Sequence, residues 1–114
     1  MLEVLLSGHL RDLLEELRGL RVLTKLYGVL GGGIKLFQYG EIPLAGYRVD
    51  ALVHNKDVIG VEVVSHPAYL EKNIKKLQTL LALGYVTKAI ITVEPLNNFI
   101  PSQKIEEGGI LIVY

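Results

Sequence analysis

Residues 47–64 read Tyr47-Arg48-Val49-Asp50-Ala51-Leu52-Val53-His54-Asn55-Lys56-Asp57-Val58-Ile59-Gly60-Val61-Glu62-Val63-Val64, two apolar runs on either side of a polar triplet. Both halves are rich in β-branched residues, which pack well on a pleated surface. Asn55-Lys56-Asp57 separates them with turn-forming side chains, so residues 47–54 and 58–64 should pair as an antiparallel hairpin. One acid interrupts each apolar strand: Asp50 in the first and Glu62, twelve positions later, in the second.

Toward the C-terminus, Ser65-His66-Pro67 opens a helix. Ser65 or His66 can cap it, and proline is tolerated in a first turn where its missing N–H is not needed. Leu70, Ile74, Leu77 and Leu81 form its apolar stripe and Gly84 ends it. Residues 89–93 read as a short strand, 95–107 as a polar loop with two prolines, and 110–114 as a last strand. Toward the N-terminus, residues 34–39 alternate as a strand, and Gly31-Gly32-Gly33 precedes them as a turn. No Gly-Lys-Ser/Thr follows those glycines, so they do not make a phosphate loop. Residues 21–29 have extended character and read as a further strand. Over residues 7–20, Leu10, Leu13, Leu14 and Leu17 recur at helical spacing against Arg11, Asp12, Glu15, Glu16 and Arg18, with Gly19 placed to end the helix. The expected order is α-β-β-β-β-α-β-β, an α/β domain.

The chain's 114 residues suit one domain, residues 1–114, and half of them are apolar. Twelve basic residues balance twelve acidic ones, so no global positive field draws the chain to phosphate and any nucleic-acid contact is local. The absence of cysteine excludes disulfides, thiolate zinc sites and a cysteine nucleophile. The N-terminal run lacks a signal peptide's basic start, which points to a cytoplasmic protein. No apolar run approaches the ~20 residues of a membrane-spanning helix, so no membrane partner is expected.

A tight hairpin with an acid in each strand can bring Asp50 and Glu62 together on one face. Two carboxylates a few ångströms apart repel, and a divalent cation removes that cost. Oxygen-rich sites of this kind suit Mg²⁺ or Mn²⁺, which polarise phosphoryl oxygens and help generate hydroxide. The plainer alternative is a pair of structural acids, exposed at strand ends or matched to Arg48 or Lys56.

The stretches 48–53 and 59–64, set in the order helix, strands, helix, strand, resemble the PD-(D/E)XK nuclease superfamily over residues 7–94. The resemblance implies a restriction-endonuclease-like core, a central mixed sheet flanked by two main helices. It also implies a metal-dependent DNA endonuclease in which Asp50 and Glu62 hold Mg²⁺ or Mn²⁺. Two positions after Glu62, where the family carries its lysine, this chain has Val64. Some members take that lysine from the following helix, which here offers Lys72, Lys75 and Lys76. Against the stripe of Leu70, Ile74, Leu77 and Leu81, Lys72 and Lys76 stack one turn apart on the outer side, and Lys75 sits four after Glu71. Lys72 is the expected replacement, with Lys76 accessory. Many relatives supply a further acid from the first helix, where this chain has His9 and Asp12. His66, four after Glu62, can contact phosphate, assist proton transfer, or only cap the helix.

Val64 and the neutral net charge keep a second reading open, a catalytically silent module that binds nucleic acid or a protein partner. A subunit of a composite enzyme is a third. A symmetric homodimer is expected, because two sites related by a two-fold axis match the two strands of duplex DNA.

Overall fold

The computed structural model describes residues 2–6, 13–94 and 104–114. Its elements are β1 (Glu3–Leu6), α1 (Leu13–Leu30), β2 (Leu36–Leu44), β3 (Tyr47–His54), β4 (Val58–Val64), α2 (Leu70–Ala82), β5 (Lys88–Val93), β6 (Lys104–Glu107) and β7 (Ile110–Val113). The strands form one mixed sheet in the order β1-β2-β3-β4-β5-β7-β6. The β2–β3–β4 meander is antiparallel, β4, β5 and β7 run parallel, and β6 closes the far edge antiparallel to β7.

The central hairpin forms over the expected residues, with His54 paired to Val58 across the turn. Asn55 Oδ1 accepts from the Asp57 N–H at 2.6 Å, the self-bonding that makes Asn a turn former. The β2–β3 turn holds Ala45 and Gly46 at φ of 52° and 82°, the two left-handed residues of a tight hairpin.

Helices cover both faces. Under α1, Val22, Leu23 and Leu26 pack with Phe37, Ala51, Val53, Ile59, Val61 and Ile90. Under α2, Leu77 and Leu80 pack with Leu52, Val64, Val86, Ile91 and Ile112. Each fully buried leucine contributes about 1.5–3 kcal/mol. β4 is buried on both sides, and Gly60 lets α2 come close: a Cβ there would lie 3.2 Å from Val86 and 3.4 Å from Leu77.

The N-terminal third departs from expectation. Residues 21–29 are not a strand but the second half of α1, which runs unbroken for 18 residues. Val22 and Tyr27 favour strands by residue type, yet Gly19, Val22, Leu23 and Leu26 recur at helical spacing and are all buried, and that burial wins. Gly19 does not end the helix. It lies where α1 crosses β2, and a Cβ would stand 2.9 Å from the Tyr39 ring. The helix ends at the triple glycine, all three residues left-handed, with the Gly31 N–H donating to Tyr27 O at 2.9 Å. The sheet gains two strands that the sequence pattern did not show. β1 is four residues long, and β6 lies in the segment read as a loop, with all four residues exposed and hence no buried face to impose alternation. Among the described residues no helix is long and apolar enough to cross a membrane.

Candidate functional site

The antiparallel ladder between β3 and β4 ends at Ala51 and Val61. Asp50 and Glu62 come next, opposite one another in the same register, where the strands part and β4 continues beside β5 alone. The Val63 N–H, with no β3 carbonyl opposite, donates to Asp50 Oδ2 at 2.7 Å. That bond fixes the Asp50 carboxylate at the opening between the strands.

Glu62 faces α2, as Gly60 and Val64 do, and is 4% exposed. Burial first, and then the adjacent Asp50, push its carboxyl up to about 8 against the opposing pull of Lys76. Lys76 Nζ stands 2.7 Å from Glu62 Oε1, a close charge contact outside the angles of a well-formed hydrogen bond. The same ammonium donates to the Arg48 backbone oxygen at 2.8 Å. Lys76 thus ties α2 to β3 and β4 at the point where the strands separate. The Arg48 guanidinium is engaged elsewhere, on Glu41 at 2.8 Å.

The other residues singled out in the sequence fall around this centre. Lys76, not Lys72, meets the acids. The most buried residues of α2 are Leu77 and Leu80, so the inward face is turned from the stripe Leu70, Ile74, Leu77, Leu81 toward the side carrying Lys76. Lys72 is exposed, and Lys75 pairs with Glu71 at 3.3 Å in solvent. Val64 is buried beneath α2, in the core that Leu77 and Leu80 help build. His66 caps the single 3-10 turn Pro67–Tyr69 that leads into α2, its Nδ1 accepting the Ala68 N–H at 3.1 Å, which assigns the ring proton to Nε2. Asp12 and His9 lie outside the described residues. Among the described residues no three His, Asp or Glu side chains gather at one point.

Lys25 was not singled out in the sequence, because it fell in the segment read as a strand. It is fully buried on the α1 side of the sheet, where its Nζ donates to Val93 O at 3.3 Å and burial lowers its pKa. Two turns earlier, Arg18 pairs with Glu94, so α1 is tied at two points to the end of β5.

Two carboxylates at a strand opening, one of them buried and costly to ionise, form a hard-oxygen donor set. Mg²⁺ keeps several waters and needs only one or two protein carboxylates, so the pair fits it. Compared with protein-family models, curated proteins and solved structures, the chain matches none.

Proposed function

We propose that the chain is a divalent-metal-dependent phosphodiesterase acting on DNA, of the PD-(D/E)XK type, with Asp50 and Glu62 as metal ligands and Lys76 in the role of the motif lysine. One observation carries the reading: Asp50 and Glu62 converge where their strands part, with an ammonium 2.7 Å from the buried carboxylate. Mg²⁺ or Mn²⁺ held there would polarise a phosphate oxygen and supply hydroxide near neutral pH. Asp50 is oriented for ligation by the Val63 N–H, and Glu62 gains most from a cation, since its charged form is disfavoured by burial and by its neighbour. Lys76 brings a positive charge to where a phosphate's negative charge grows in the transition state. Its anchor on the Arg48 carbonyl holds that charge in place.

The second reading, a nuclease-fold module that only binds nucleic acid or a protein partner, draws on Val64 and on the Lys76–Glu62 contact, which neutralises the buried acid without a metal. Calorimetric titration with Mn²⁺ and a cleavage assay on duplex, branched and single-stranded DNA separate the two. The nuclease reading expects metal binding and cleavage in the wild type and neither in Asp50→Ala. Metal binding that survives Asp50→Ala, or a wild type that cuts none of these substrates with either metal, overturns it.

A further inference from the structure

The outer face of α1 is apolar where a solvated helix should be polar. Leu17, Leu20 and Tyr27 are 43%, 51% and 37% exposed, although the buried face of the same helix already presents Gly19, Val22, Leu23 and Leu26 to the sheet. Thr24 completes the outer set. Its hydroxyl donates to the Leu20 carbonyl at 2.8 Å within the helix, so burying this residue strands no polar group. Leu17, Leu20, Thr24 and Tyr27 follow one another at spacings of three, four and three, the repeat of a coiled-coil seam. In the sequence the same spacing runs back through Leu13 and Leu10.

The charges beside the seam specify what covers it. Glu16 flanks Leu17 on one side and exposed Arg21 flanks Leu20 on the other. In a parallel two-fold pair, a residue just before a seam position meets the residue five later on the partner helix, so Glu16 meets the partner's Arg21 and the reverse contact forms by symmetry. An antiparallel pair, with Leu17 facing the partner's Tyr27 and Leu20 its Thr24, would instead bring Arg21 beside the partner's Arg21 and leave Glu16 without a basic partner. We propose that the occupant of this face is a second copy of the chain, docked as a two-fold dimer through parallel α1 helices. Asp50 and Glu62 lie on the opposite, α2-covered side of the sheet, so the two acid pairs of this dimer face outward. The proposal is independent of the nuclease reading and stands or falls without it.

The test uses the full chain and its lack of cysteine. Thr24→Cys introduces one thiol at a seam position, which parallel helices bring next to its own copy. Under mild oxidation the variant should form a covalent dimer, while light scattering finds the wild type dimeric. Leu20→Glu should weaken association at least about a hundredfold, since each dimer loses two buried leucines and desolvates two carboxylates. Because Leu20 is exposed in the monomer, circular dichroism should show the fold intact. Glu16→Arg alone should weaken the dimer, and Glu16→Arg with Arg21→Glu should restore it. A wild type that stays monomeric at high concentration overturns the proposal, as does a dimer that survives Leu20→Glu. A dimer that depends on Leu20 but does not cross-link through Thr24→Cys overturns the parallel arrangement.

Discussion

Replacing Glu62 by glutamine keeps the shape of a buried side chain and removes its charge. The folded protein holds the Glu62 proton up to about pH 8, whereas a free glutamate releases it near 4.5. Between these values the native state binds a proton that the unfolded state has lost, so stability falls as pH rises. It is full below 4.5, drops through the interval, and levels off above 8. At about 1.36 kcal/mol per pH unit the interval corresponds to about 5 kcal/mol, and relaxation around a buried ion reduces this to about 3. In chelator-treated buffer Glu62→Gln should match the wild type at pH 4.5 and exceed it by about 3 kcal/mol at pH 8.5. That is a rise of about 12 °C in Tm at ~4 °C per kcal/mol. Thermal denaturation followed by circular dichroism across this range is the assay. Adding Mg²⁺ at pH 8.5 should raise the Tm of the wild type and leave the variant unchanged. Parallel pH profiles for the two proteins would show that Glu62 ionises like an ordinary carboxylate, and the electrostatic case for a cation site would collapse.

Lys76→Ala should lower metal-dependent cleavage about 100-fold or more while Lys72→Ala stays near wild type, because only Lys76 reaches the acids; equal single-turnover rates for the two variants would refute this. Gly19→Ala, which in an open helix stabilises by about 1 kcal/mol, should here cost about 1–3 kcal/mol in urea denaturation, because the new methyl meets the Tyr39 ring. Lys25→Met should raise Tm by roughly 2–5 °C at pH 7, since a desolvated ammonium gives way to an apolar side chain of similar length. The lowered pKa of Lys25 means that the wild type gains stability as pH rises through that value toward 10.5, so the Lys25→Met advantage should shrink at alkaline pH.

Residue spacing and turn chemistry made the local features legible before any packing was known. Two runs of β-branched residues on either side of Asn55-Lys56-Asp57 defined β3 and β4, and their register sets Asp50 opposite Glu62. His66, Pro67 and Gly84 marked the ends of the α2 segment for reasons confined to a few neighbouring residues. Tertiary structure decided what depends on a partner surface. Residues 21–29 are helical because one face of α1 is buried on the sheet, against the strand preference of Val22 and Tyr27. Gly19 is set by the Tyr39 ring, a neighbour twenty residues away. Packing of Leu77 and Leu80 sets the rotation of α2 and turns the side carrying Lys76 toward the sheet, and of the two lysines stacked on that side only Lys76 lies level with Glu62. Hydrophobic spacing leaves that rotation open by tens of degrees, and only the shape of the sheet beneath, with Gly60 admitting Leu77, closes the choice.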